Sequence, residues 1–232
     1  MSQSHNAMVR ICQLILLSLV VLMLQGCGTT HAIYSNKKGQ NIMLLGYDPV
    51  AYHVDQTPDQ PRAIRGSAKF QVTYEDRTYL FSSEANRLKF LYKPEQYEPA
   101  YGGFCANGAA YGMKWASNPT SFEVVNGRLY IFSGWGSHSS WVLDQASNIK
   151  AADALWQSEA NQSGWRYQSI KRMISKVPHY RSNEELNARW AERNPGKIKP
   201  ASQNGGFWAN LTRPPGWQAA TGLGQDSVGW PE

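Results

Sequence analysis

Lys69-Phe70-Gln71-Val72-Thr73-Tyr74-Glu75-Asp76-Arg77-Thr78-Tyr79-Leu80-Phe81-Ser82-Ser83-Glu84 is the stretch that decides the fold. Phe70, Val72 and Tyr74 alternate with Lys69, Gln71 and Thr73, the period of a strand with one wet face. Glu75-Asp76-Arg77 supplies a turn and Tyr79 to Phe81 return, so the segment predicts a β-hairpin. Ser83 can cap a helix over 84–92, where Leu88 and Leu91 share a face with Ala85, and Pro94 stops it. Working outward, Phe122, Val124 and Val125 lead through Asn126-Gly127 to Leu129, Tyr130 and Ile131, a second hairpin on a favoured two-residue turn. Ser137 or Ser139 is expected to start a short helix through Trp141 to Asp144, and Ile149 to Glu159 to form another. Upstream, Gly46 to Tyr52 is expected to be extended with a turn, because the residue before Pro49 avoids the helical region. Two hairpins with short helices define a small α+β domain over residues 42–160.

With 232 residues, 42% of them hydrophobic and 17% charged, the chain can bury one ordinary core and carry an appendage. That excludes a disordered polyelectrolyte and a coiled coil. Twenty Gly and twelve Pro without a repeat, and a mean hydropathy of -0.49, exclude a collagen-like array and a multi-span membrane protein.

Ile11 to Leu24 is the stretch apolar enough for a bilayer, and its fourteen residues reach only about 21 Å against a hydrocarbon core of about 30 Å. Arg10 in front and small residues behind describe a secretory signal over residues 1–26. The run ends Leu24-Gln25-Gly26-Cys27, which resembles a bacterial lipobox, although Gln25 is an imperfect fit. The resemblance implies cleavage before Cys27, acyl chains on that cysteine and a membrane anchor, since each buried CH₂ contributes about 0.8 kcal/mol. Gly28 rather than Asp follows, which favours the periplasmic face of the outer membrane. Cys12 leaves with the signal and Cys27 carries lipid, so Cys105 is the remaining thiol and an internal disulfide is excluded. Residues 27–41 read as a polar tether.

Beyond residue 160 the character changes. Residues 165–232 hold five of the nine Trp and ten Lys/Arg against five Asp/Glu, whereas residues 27–164 hold twelve of each charge. Tyr167, Ile170, Met173, Ile174 and Val177 fall at helical spacing among Arg166, Lys171, Arg172 and Lys176, an amphipathic helix. Ser182-Asn183-Glu184-Glu185 has capping-box form and begins a second helix, with Leu186 and Trp190 on one side. After Pro195 periodicity is lost, and an extended tail is expected. This basic extension, residues 161–232, suits anionic envelope components, with either an interfacial helix or a helix packed on the domain. Nucleic acid is not an expected partner, because export removes the chain from it.

Four blocks in order resemble the YHS-domain family, and its exported branch in particular: Gly46-Tyr47-Asp48-Pro49-Val50-Ala51-Tyr52, Tyr79-Leu80-Phe81-Ser82-Ser83-Glu84, Lys93-Pro94-Glu95-Gln96-Tyr97 and Tyr101-Gly102-Gly103-Phe104-Cys105-Ala106. The resemblance runs from about Leu45 to Trp156. Members attached to copper-transporting ATPases resemble metal-binding modules with cysteines at positions that fall here on Ala51, Ser82 and Asn86. None of these is a thiolate, so the soft-metal cluster of that branch is not inherited.

What remains is a set of separate ligand-capable residues: Cys105, His53, His138 and Met113, with Tyr52 and Tyr101 as candidate pocket aromatics. Their spacing lacks the Cys-x-x-Cys pairs of structural zinc sites, and a site built from them, possible for a transition-metal ion or a small ligand, needs tertiary convergence. Cys105 reads as a buried apolar residue, a redox or ligand group, or a nucleophile, which would need a base such as His53 or His138. Three functions are open at this point. They are a non-enzymatic binding module near Cys105 and His53, an envelope interaction protein using the basic extension, and a thiol-dependent enzyme. The first leads, and enzyme activity is the weaker expectation.

Overall fold

A computed structural model describes residues 10, 11, 13, 31–35, 39–56 and 62–200. The expected signal segment, Cys27 and the tail beyond Pro200 therefore lie outside the described residues, apart from helical Arg10, Ile11 and Gln13. Among the described residues no helix is long and apolar enough to cross a membrane.

The fold is α+β with two small sheets. The first sheet is built on the hairpin of β3 (Ser67–Tyr74) and β4 (Arg77–Phe81). Their turn takes only Glu75 and Asp76, both at positive φ, so Arg77 belongs to the strand rather than to the turn. Phe70, Val72 and Tyr74 alternate as expected, while β4 is buried along its whole length. It is covered because β2 (Asn41–Met43) pairs beside it in parallel, with β1 (Ile33–Ser35) outside in the order β1-β2-β4-β3. This corrects the tether expectation, since residues 33–35 form a strand of the domain. Ile33 packs against the cluster of Met43 and Phe81, an apolar contact that a polar linker would lack.

The second sheet is the hairpin of β5 (Asn118–Val125) and β6 (Arg128–Phe132), turning on Asn126 and Gly127 at φ 51° and 75°. Both residues need left-handed backbone there, which Asn and Gly tolerate best. Between the sheets, α1 (Ala51–Val54) is helical where the sequence predicted extended chain. Asp48 explains the difference, because its Oδ1 accepts from the N–H groups of Val50 and Ala51 and so opens a helical turn after Pro49.

The helix α2 (Glu84–Tyr92) begins as expected, with Ser83 Oγ accepting from Asn86 N at 3.2 Å. A short α3 (Ala106–Ala110) follows Cys105. The helix α4 (Trp135–Trp141) starts two residues before Ser137, after Gly134, and α5 (Gln145–Leu155) starts four before Ile149 and runs on into a wider turn at Trp156–Ala160. The expected start at Ser137 fails because the Gly134 carbonyl already accepts from the N–H groups of Ser137 and His138. Three apolar clusters fill the domain, around Trp141 and Phe132, around Phe81 and Phe90, and around Tyr52 and Ile131.

The extension supplies α6 (Trp165–Ile174) and α7 (Asn183–Arg193). Ser182 caps α7 through Glu185 N at 3.1 Å, and Leu186 and Trp190 pack on Leu143 of the domain, as their spacing predicted. The helix α6 behaves differently. Its buried residues are Gln168 and Ser169, while Met173 and Ile174 stay 57% and 78% exposed. Gln168 accepts the Lys114 N–H of the domain and donates to the carbonyl of Ala160 at the domain's end and to that of Ser163 in the loop before α6. A methyl group there would take from the Lys114 N–H and the Ala160 carbonyl the partner they have in Gln168, while the Ser163 carbonyl keeps Lys114 Nζ at 3.1 Å.

Candidate functional site

The sequence-derived candidates do not converge. Cys105 is fully buried in the Trp141 cluster, and its sulfur lies 3.3 Å from Ser137 Oγ. His53 sits on α1 against Tyr97, edge to face at 5.3 Å, with burial lowering its pKa and its Nε2 enclosed without a hydrogen-bond partner among the described residues. His138 lies on α4, where Nε2 meets Glu123 Oε2 at 3.1 Å. Burial pushes the Glu123 carboxyl up, but the hydrogen bonds from His138 and Gln145 outweigh it and hold the group below its ordinary value. Among the described residues no group of three or more His, Cys, Asp or Glu is placed to hold a metal ion.

The two candidate pocket aromatics, Tyr52 and Tyr101, are both buried and hydrogen-bonded. Tyr52 is buried in the third cluster and donates to the Pro119 carbonyl at 2.9 Å, with burial raising its pKa. Tyr101 donates to Asp153 Oδ1 at 3.0 Å and lies 5.0 Å from the Arg128 guanidinium. Its hydroxyl pKa is raised by burial against the opposing pull of Arg128. Neither lines the cleft described below.

The positions that resemble cysteine ligand sites do meet, around a carboxylate instead of a metal. Asp48 is fully buried. Its Oδ2 accepts from Ser82 N at 2.8 Å, Ser82 Oγ at 2.7 Å and Asn86 Nδ2 at 2.8 Å, while Oδ1 takes the two α1 amides. Asn86 Nδ2 also reaches Asp55 Oδ2 at 2.9 Å. With no sulfur in the set and its donors already spent on Asp48, this cluster does not fit a soft metal ion. It ties the start of α1 to the start of α2, which is a structural task.

The concave feature of note is a cleft of about 1110 Å³ where the extension meets the domain. Tyr111, Met113 and Trp115 come from the loop after α3, and Ser137 and Ser140 from α4. Ser169, Arg172, Met173 and Lys176 come from α6 and the residues just after it. These last positions recur every three or four residues, so one stripe of the helix forms a wall. Tyr180, Arg181, Leu186, Asn187 and Lys199 close the rest.

The seam is pinned by several contacts. Gln168 Oε1 accepts from Lys114 N at 2.8 Å, and Arg172 Nε donates to the Tyr111 carbonyl at 2.7 Å while its Nη2 pairs with Glu159. His179 Nε2 lies 2.6 Å from the Ala110 carbonyl, and Arg189 clamps Asp144 through both guanidinium nitrogens. The Arg189 hydrogen bonds are the main reason the Asp144 carboxyl is held below its ordinary pKa. Gly112 makes the close approach possible. Its φ is +67°, and any Cβ there would run into the Arg172 guanidinium.

Of the sequence candidates, Met113 reaches the cleft and Cys105 stands behind it through Ser137. Sequence reasoning missed Tyr111, Tyr180 and Lys199, and placed Arg172 and Lys176 on an amphipathic helix that was either interfacial or packed on the domain. The positive balance of residues 165–232 was the available signal, but it did not say that four of those cations would face one cavity.

No family model matches the chain, and neither a curated protein nor a solved structure matches it.

Proposed function

We propose that the chain is an exported, lipid-anchored bacterial envelope protein of YHS-like build, whose domain and C-terminal helices together form a non-enzymatic receptor for a small ligand. The observation that carries the reading is the cleft at the seam, about 1110 Å³ and walled by both parts. Small-ligand sites are typically concave, mostly apolar and about 300–1,000 Å³. The order of the four sequence blocks supports the family resemblance, and so does the meeting of Ala51, Ser82 and Asn86 at Asp48. A ligand, rather than a metal ion, is favoured by the dispersal of Cys105, His53, His138 and Met113. A receptor, rather than a thiol enzyme, is favoured by the full burial of Cys105 beside a serine hydroxyl instead of a base.

The test uses N-phenyl-1-naphthylamine, a neutral dye that brightens in apolar surroundings, and the chain from residue 28 on. Saturable binding of one dye per chain is expected, weakened severalfold by Trp115→Ala and unaffected by Trp135→Ala, which lies outside the cleft. Dye that never saturates, or equal losses in both variants, contradicts the reading.

A second reading has its own support. Ile174 and Tyr167 are exposed on α6 with the exposed Arg166 beside Tyr167, a combination suited to an anionic lipid surface. Co-sedimentation with phosphatidylglycerol vesicles, lost in Ile174→Glu, would favour it.

A further inference from the structure

The charge of the cleft is one-sided. Four of its lining residues are cations, Arg172, Lys176, Arg181 and Lys199, and none is acidic. Two of the four are neutralised locally, Arg172 by Glu159 and Arg181 by Glu185. The other two make no ion pair among the described residues. Lys199 Nζ is held by neutral oxygens, Ser140 Oγ and Asn187 Oδ1, both at 2.9 Å, and Lys176 Nζ lies 4.2 Å from the Tyr180 ring centroid. Burial lowers the pKa of Lys199, with no carboxylate to oppose it. A half-buried ammonium with neutral partners carries a desolvation cost that an incoming anion relieves.

The remaining walls have a different character. Met113, Met173, Val177 and Leu186 are apolar, and the two thioethers adapt to irregular shapes. Trp115 adds a large face, and its indole N–H is enclosed without an acceptor among the described residues. A neutral apolar ligand would leave the half-buried Lys199 ammonium uncompensated, while Lys176 stands exposed at the rim, and a small inorganic anion would leave the methionine and tryptophan walls uncovered.

We propose that the cleft takes an anionic amphiphile, an apolar chain or ring with one carboxylate-type head, the head directed to Lys199 and Lys176 and the body against Trp115 and the methionines. The proposal rests on the receptor reading and specifies its ligand. Its logic is that of charge-assisted hydrogen bonds, which are about twice as strong as neutral ones and gain further in a partly dry site.

Competition against bound N-phenyl-1-naphthylamine tests it, with laurate and dodecanol as competitors of equal chain length and different head charge. Laurate is expected to displace the dye at about tenfold lower concentration than dodecanol. In Lys176→Met/Lys199→Met that preference is expected to collapse towards unity, whereas Lys197→Met, an exposed lysine outside the cleft, keeps it. Equal potency of the two competitors, or a preference that survives the double substitution, overturns the anionic ligand while leaving the receptor reading standing. Failure of the dye itself to bind overturns the receptor reading, and the proposal with it.

Discussion

The side-chain carbonyl of Gln168 accepts the backbone N–H of Lys114 at 2.8 Å, joining two residues 54 positions apart in the chain. The same amide donates to the carbonyls of Ala160 and Ser163 at 2.7 and 3.0 Å, so one buried side chain closes the seam between domain and extension. Gln168→Leu removes these partners together, and each buried polar group left unsatisfied costs about 1–3 kcal/mol. A lower urea midpoint is expected, with faster proteolytic clipping near residue 164. An unchanged midpoint would mean that α6 is held by something other than this contact.

Asp48 is the corresponding element inside the domain. Asp48→Asn puts an NH₂ group where donors converge, and a loss of about 3 kcal/mol or more is expected. Asp55→Asn keeps an acceptor at a more exposed site and should cost little. Denaturant unfolding of both variants checks the contrast, and equal effects would refute it.

Acid should weaken the fold in a defined window. Burial, helped by the neighbouring Arg77 charge, lowers the pKa of His31 from 6.5 to about 4. The unfolded chain therefore takes up a proton near 6.5 that the folded chain refuses until about 4, so stability is full above this range and falls as the pH drops through it. Half-buried His53, whose pKa burial also lowers, acts in the same direction. His31→Gln is expected to flatten, without abolishing, the fall in urea midpoint between about pH 7 and about pH 5. A slope identical to the parent protein would show that His31 does not resist protonation.

At Gly112, any side chain both strains a positive φ and displaces Arg172 from the Tyr111 carbonyl. Gly112→Ala should cost about 1–3 kcal/mol in unfolding experiments and weaken dye binding through the shifted wall. Gly127→Ala also meets positive φ but nothing within 4 Å, so it should lose stability without affecting the dye. Matched dye affinities in the two variants would contradict the role given to Gly112.

Cys105 should be silent towards Ellman's reagent in the native protein and react only on unfolding, because its thiol has no exposed surface. Rapid native labelling would reopen the thiol-enzyme reading.

Both hairpins, the Ser83 and Ser182 caps and the Leu186–Trp190 contact were legible in the sequence, because each rests on alternation, a turn pair or a cap within a few residues. The helical turn at Ala51 was not, since it depends on Asp48 overriding the extended preference around Pro49. The strand at 33–35 was hidden for a related reason, as three residues are too few for a period and gain their order from the partner strand. The cleft escaped because its walls come from sequence segments about 60 residues apart, Tyr111 to Trp115 and Ser169 to Lys176, and pair polar with apolar residues. On α6 the apolar stripe suggested the packed face, whereas the buried positions are Gln168, which bonds the Lys114 N–H and the Ala160 carbonyl, and Ser169, whose hydroxyl bonds back to the Trp165 carbonyl.

The central claim is that domain and extension share one ligand cleft, and hydrogen exchange read by mass spectrometry tests it most directly. With N-phenyl-1-naphthylamine bound, slower exchange is predicted in peptides covering 107–115 and 169–187 together, with little change over 67–98. Protection confined to one of the two walls, or spread evenly along the chain, would contradict the account.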